Sequence, residues 1–195
     1  MTISILRKDG SAEKEGRLVQ AAQQDPAAFT SLYDRYVSRL YRYLYSRTGS
    51  PAEAEDLTAQ TILSALESLP NYRHRGYFSA WLFTIARSKL ADFYRKNPLE
   101  MPLEKADHNP GSMNLVDELE KGEQIQLLSE AIRSLDEDKQ DLLRLRYTAG
   151  LTFAEIGETL GRSEDAVKKA LYRLLDRNKQ RVLALDELTM RHNLS

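Results

Sequence analysis

From Tyr72 to Tyr77 the chain reads Tyr-Arg-His-Arg-Gly-Tyr, and the stretch behind it carries Phe78, Trp81, Arg87, Lys89, Arg95 and Lys96. Interleaved rings and cations suit one task in particular. Bases torn out of a duplex need flat surfaces to stack on and positive charge to hold their phosphates. Tyr72 and Tyr77 stand in the loop, open equally to stacking on a base and to packing. Phe78 and Trp81 fall on the apolar face of the following helix, which favours the core over a base platform. Arg73, Arg75, Arg87, Lys89, Arg95 and Lys96 are candidate phosphate contacts, with His74 among them in the loop. Gly76 lets the backbone close on a flipped base.

A second constellation runs from Leu151 to Arg173. Thr152 and Glu155 have the T-x-x-E spacing of a capping box. Phe153, Ile156 and Leu160 share a helical face, Gly157 leaves room for a second backbone, and Gly161 suits a left-handed helix stop. Ser163 then caps a second helix with Val167, Leu171 and Leu174 inward. The pattern is a helix-turn-helix, whose second helix enters a DNA major groove; an ordinary helical hairpin is the competing reading. Its candidate contacts are Arg162, Ser163, Glu164, Asp165, Lys168, Lys169, Tyr172, Arg173 and Arg177. Glu164 and Asp165 open that helix, where they favour its dipole and are also able to accept from cytosine amino groups.

The elements that must position these groups read as helices, with no sustained period-two alternation and no Asn-Gly hairpin. A loose tail covers the first dozen residues, and a short helix runs from about Lys14 to Gln24. Asp25-Pro26 opens a helix with Phe29, Leu32, Tyr33, Tyr36, Val37, Leu40 and Leu44 at three- and four-residue spacing, stopped by Gly49. Ser50-Pro51-Ala52-Glu53 opens the next, with Ala54, Leu57, Thr61, Ile62, Ala65, Leu66 and Leu69 inward and Pro70 as its stop. Phe78, Trp81, Leu82, Ile85, Ala86 and Phe93 mark the core face of the helix ending near Asn97-Pro98. Pro102, Asn109, Pro110 and Gly111 lie in a stretch without helical period, which favours an extended connection. Beyond it, Leu119, Leu127, Leu128, Ala131, Ile132 and Leu135 form a stripe, and Asp136 caps a helix with Leu142, Leu143, Leu145 and Tyr147 inside. The expectation is an all-α chain: a domain at 13–97, a flexible linker at 98–114, a helix-turn-helix domain at 115–184 and a tail at 185–195.

The formal net charge of −1 hides a segregation. Residues 71–97 hold six basic residues against Asp92 alone, and residues 162–181 hold seven against three, while 98–141 is acidic. Two basic patches that each coincide with a motif point to two phosphate-facing surfaces, although solvated helix faces have the same composition. The chain contains no cysteine, so disulfides and thiolate metal sites are excluded, and His74, His108 and His192 lack ligand spacing. Neither a secretory pattern nor an apolar run long enough for a membrane is present, so a cytoplasmic protein without membrane insertion is expected. No nucleophile–base pair, phosphate-binding glycine loop or metal cluster is found, which argues against an enzyme and against a cofactor.

From about Phe29 to Arg181 the chain resembles an extracytoplasmic-function (ECF) sigma factor, the compact two-domain specificity subunit of bacterial RNA polymerase. AEDLTAQTILSAL, Ala54 to Leu66, looks like region 2.2, with its Asp-Leu-x-x-Gln core. The resemblance gives Asp56, Leu57 and Gln60 a role in docking on the polymerase β′ clamp helices. FSAWLFTIARSKLADFYRK resembles the promoter-melting helix of regions 2.3 and 2.4, and the loop before it the one that captures a flipped base of the −10 element. LRYTAGLTFAEIGETLGRSEDAVKKALYR resembles region 4.2, which reads the −35 element. The implied partners are core polymerase (β′ clamp helices and β flap), promoter DNA and an anti-sigma factor. Ser88 departs from the family's usual asparagine, Val167-Lys168-Lys169-Ala170 from its usual Val-Lys-Ser-Arg, and Asp136 from a frequent proline. An ordinary helix-turn-helix regulator and a protein-binding helical adaptor are the competing readings. The first binds duplex DNA without polymerase; the second leaves transcription unaffected.

Overall fold

The computed structural model describes residues 6–73, 76–97, 132 and 134–177, and all regular structure among them is helical. Helix α1 spans Leu6–Gln24, followed by a 3-10 turn, Pro26–Phe29. Helices α2 (Thr30–Thr48), α3 (Pro51–Ser68) and α4 (Phe78–Lys96) make the N-terminal domain, with a second 3-10 turn at Leu69–Asn71. The C-terminal domain has α5 (Glu137–Leu143), a wide π turn at Arg144–Thr148, α6 (Phe153–Leu160) and α7 (164–177). The expected linker 98–114 and tail 185–195 lie outside the described residues, as do Leu119, Leu127, Leu128 and Ala131.

Local chemistry sets the boundaries much as the spacing predicts. Asp25 accepts from the Ala27 amide at 2.9 Å, and Ser50 accepts from that of Glu53 at 3.4 Å. Gly49 ends α2 with φ 67°, its N–H donating to Tyr45. Asp136 caps α5 through the Lys139 amide at 3.0 Å, and the Lys139 side chain binds the same carboxylate, holding it below the usual range. One expectation fails at the N-terminus, where α1 begins at Leu6 instead of near Lys14. Val19 and Ala22 anchor it in the core, and a Glu13–Arg17 pair sits one turn apart. Propagating an anchored helix gains a hydrogen bond per residue without a second nucleation cost.

The helix-turn-helix has the expected joints. Thr152 and Glu155 form a reciprocal capping box, and Ser163 accepts from the Ala166 amide at 3.2 Å. Val167, Leu171 and Leu174 are buried. Tyr147, expected inside, is 61% exposed. The cause is the π turn: the Ala149 amide reaches back five residues to Arg144. The extra residue buries Leu145 and Ala149 and swings Tyr147 outward.

The apolar interior falls into two clusters. One joins α1, the starts of α2 and α4 and the end of α3 around Val19, Leu32, Tyr36, Leu69 and Phe78. The other crosses the domains: Leu40, Tyr43, Phe83 and Leu90 pack in one cluster with Leu142, Leu145, Ile156 and Val167. Helix α4 is therefore covered on two sides. Ser79, Ala80, Phe83 and Leu90 are buried on a face the single-stripe reading did not mark, while Trp81, Ile85 and Phe93 are only half-buried.

A methyl group on Gly157 would lie 2.6 Å from the Arg162 carbonyl oxygen, whereas Gly161 (φ 65°) has open space but a left-handed backbone. Gly157→Ala is expected to cost about 1–3 kcal/mol through overpacking against backbone, and Gly161→Ala about 1 kcal/mol through conformation. Urea unfolding of both variants checks the ranking; a neutral Gly157→Ala would remove close approach as the reason for that glycine.

Candidate nucleic-acid interfaces

The aromatic residues around the start of α4 form one stack. The Tyr72 ring lies on Trp81 at 4.3 Å and 28° between planes, and meets Phe78 edge-on at 5.9 Å. Phe78 is 1% exposed and belongs to the core, with Tyr36 behind it at 5.5 Å. Tyr72 and Trp81 are half-buried at the surface of the stack. Burial, then the Glu158 and Glu15 carboxylates, push the Tyr72 hydroxyl up to about 12, so it stays a neutral donor at physiological pH.

Two residues that the sequence reading passed over hold this stack in place. Gln23 donates its amide to the carbonyls of Leu69 (3.0 Å) and Tyr72 (2.6 Å), clamping the start of the loop to α1. Glu15, 4% exposed, accepts from the Tyr36 hydroxyl and from the Phe78 amide at 3.2 Å. The residue before α4, Tyr77, provides no side-chain cap. Glu15 therefore satisfies an amide at the open end of α4 from 63 residues away. A cap from so far along the chain leaves no local sequence signal.

The expected phosphate contacts are distributed along this surface. Arg73 is exposed and Tyr77 half-buried, while His74 and Arg75 lie outside the described residues. Lys89 is half-buried; Arg95, paired with Asp92 at 2.9 Å, and Lys96 are exposed in the last turn of α4. Arg87 points to the C-terminal domain, its Nε 2.9 Å from Asp141.

On α3, Gln60 donates to Asp56 at 2.7 Å on the outer face. Leu57 is 2% exposed and supports the helix from the core, so it is not part of a docking surface. Beside Asp56 and Gln60 runs a groove of about 650 Å³ between α2 and α3, lined by Tyr33, Val37, Tyr41, Ile62 and Leu63. Leu63 is 56% exposed there. The helical period alone marked Ile62 and Tyr33 as core; their half-open positions give α3 a mixed polar and apolar edge.

Arg162 and Ser163 just before α7, and Asp165, Lys169, Arg173 and Arg177 on it, are exposed, and Tyr172 is 60% exposed. Glu164 pairs with Lys168 at 2.9 Å, and that contact holds the Lys168 ammonium above its usual range. Phe153 braces this face from α6, with Tyr172 at 6.0 Å and the Arg146 guanidinium 4.5 Å over its ring. Among the described residues, no His, Cys, Asp and Glu cluster suits a metal, and no helix is long and apolar enough to cross a membrane.

Comparison with known proteins follows the same order along the chain. The family model Sigma-70 region 2 matches residues 32–98, and Sigma-70, region 4 matches residues 125–177. The ECF RNA polymerase sigma factor BldN of Streptomyces coelicolor is 35% identical over 170 residues, covering 85% of this chain but 64% of that protein. The chain thus spans less than two thirds of that relative. RNA polymerase sigma factor YlaC of Bacillus subtilis is 30% identical over 146 residues, covering 73% of this chain and 84% of that one. The fold is similar to CnrH, solved in complex with the cytosolic domain of CnrY (TM-score 0.62, 22% identity, 87% of this chain and 97% of that chain). It is also similar to RpoE, solved with the anti-sigma factor NepR from Bartonella quintana (TM-score 0.60, 21% identity, 81% and 98%).

Glu15→Ala is expected to lower stability by roughly 2–4 kcal/mol, because the Tyr36 hydroxyl and Phe78 amide are left buried without a partner. Trp81, the chain's only tryptophan, gives the second readout, a red shift of its emission. An unchanged urea midpoint and spectrum would show that the stack does not depend on α1.

Proposed function

The chain belongs to the ECF family of RNA polymerase sigma factors, and from that membership we propose that it carries core polymerase to particular promoters in the cytoplasm and helps open them there. Catalysis stays with the polymerase; this chain supplies binding energy and base selection. The observation that carries this reading is one polypeptide with two unlike nucleic-acid surfaces in the order region 2, region 4. An aromatic stack at the head of α4, with Arg73 in the loop before it and Lys89, Arg95 and Lys96 further along the helix, suits displaced single strand. A capped helix-turn-helix presenting Arg162, Lys169, Tyr172, Arg173 and Arg177 suits duplex.

In this reading Tyr72 and Trp81 receive a base of the −10 element, and the cations of α4 hold the non-template strand. Helix α7 lies in the major groove at −35, with Lys168 and Glu164 competing between their mutual pair and DNA. Core polymerase docks on α3 at Asp56 and Gln60 and fills the neighbouring groove through Leu63 and Tyr33. The solved neighbours bound to CnrY and to an anti-sigma factor make a protein antagonist of the same kind reasonable for this chain.

Asp56→Ala with Gln60→Ala is expected to weaken core polymerase binding about tenfold or more, read by titrating labelled protein with purified core; unaltered affinity would reject this docking edge. Arg87→Ala with Lys89→Ala is expected to abolish most open-complex formation while core binding persists. Permanganate footprinting and run-off transcription on genomic fragments measure it, and normal opening would remove α4 from the melting surface.

A further inference from the structure

Helix α1 lies ahead of the region 2 match, which begins at residue 32, yet it grips both ends of the loop before α4. Glu15, Val19, Ala22 and Gln23 share one helical face. Val19 and Ala22 are buried at 0% and 5% exposure, so seating the helix on the core sets both polar residues at once. Gln23 Nε2 donates to the Leu69 carbonyl at 3.0 Å and to the Tyr72 carbonyl at 2.6 Å. A side-chain amide has two N–H donors, one for each acceptor. The Tyr72 amide donates to the same Leu69 carbonyl at 3.0 Å. The Tyr72 backbone is thus held on both sides, and its ring keeps only two torsions of freedom. At the other end of the loop, Glu15 accepts from the Phe78 amide. The two anchors stand eight positions apart on α1, about 12 Å of helix at 1.5 Å per residue.

We propose that Gln23 is a positioning residue for strand capture: its amide fixes the Tyr72 backbone so that the Tyr72 and Trp81 rings are already stacked when a displaced base arrives. This rests on the reading above, in which those two rings receive a base of the −10 element. Gln23 touches no DNA and acts only through Tyr72. The rings lie 4.3 Å apart, and a platform ordered in advance does not have to be ordered by the strand that binds it. Without the clamp, the Tyr72 carbonyl is released, and the ring leaves Trp81 in a share of the molecules. Gln23 differs here from Glu15. The Glu15 carboxylate is buried and serves two buried donors, so its loss disturbs folding itself. Gln23 and Tyr72 are half-buried, and the Leu69 carbonyl keeps the Tyr72 amide as its partner. Removing the Gln23 amide therefore leaves one carbonyl for water to satisfy, and the fold stands while the platform loosens.

The test uses Gln23→Met, which keeps the length and removes the donors, and Gln23→Lys, which restores donors to the same carbonyls. Full-length chains are assembled with core polymerase on a promoter recovered by run-off transcription. The rate of strand opening is followed against holoenzyme concentration, so that half-saturation reports promoter binding and the maximum reports opening. Gln23→Met is expected to lower the maximum about tenfold, as a displaced reacting group does, with half-saturation, core affinity and urea midpoint all within twofold or unshifted. Gln23→Lys should recover most of the maximum. Trp81, the single tryptophan, supplies a spectroscopic signature: in Gln23→Met its emission shifts to the red in the free chain, and Gln23→Lys reverses the shift. Gln23→Glu has the same shape and no donor at neutral pH, and replaces Gln23→Met if that variant fails to fold. An unchanged maximum in the donor-free variants overturns the proposal. So does an equal loss in Gln23→Lys, or a loss that follows the urea midpoint. If the unmodified chain opens no promoter with core polymerase, the sigma-factor reading fails, while Trp81 emission still decides whether Gln23 holds the stack; an unshifted spectrum in both donor-free variants refutes that.

Discussion

Removing a carboxylate from water is costly, so a buried aspartate persists only where cations and donors surround it. Asp141 has such a shell, and its hydrogen-bond donors and ion-pair partners come from the other domain, Tyr43 and Arg47 on α2 and Arg87 on α4, with Arg144 of its own domain nearby. The arrangement of the two domains turns on this one group. Each partner is also constrained by it. Burial and the nearby Asp141 charge drive the Tyr43 hydroxyl well above its ordinary range, so it donates and never ionises. Arg144, half-buried, is held below its usual range by desolvation and by the nearby Arg47 charge. The apolar cluster from Leu40 to Leu174 closes around these polar contacts.

What was legible in the sequence was what neighbours in sequence decide. Caps such as Thr152 with Glu155, stops such as Gly49, and the inward positions Val167, Leu171 and Leu174 depend on residues within one or two turns. So does the family pattern, which is a set of short strings in a fixed order. What escaped depended on residues distant along the chain. Glu15 serves α4 across 63 positions; Ser79 and Phe83 look like the polar and apolar margins of a surface helix until α6 lies over them. Tyr147 was misplaced for a different reason: a periodic reading assumes 3.6 residues per turn, and the chain departs from it there.

The candidate site shows the same division. The stack of Tyr72 and Trp81 was readable as residue types but not as geometry, because its order comes from Gln23 and Glu15 on α1. That helix precedes residue 32, where the region 2 match begins. Support for a shared surface is thus supplied by a segment outside the shared pattern. Likewise Asp56 and Gln60 were visible as a motif, whereas the adjoining groove required α2 to be set beside α3.

The π turn between α5 and α6 sets the phase of everything that follows it. One residue more or less at Arg144–Thr148 would rotate the downstream backbone by about 100° about the helix axis. Leu151 and Ile156 would turn away from Phe83, and α7 would carry its basic face to a different azimuth. Natural length variation should therefore be tolerated elsewhere in the C-terminal domain before it is tolerated in those five residues.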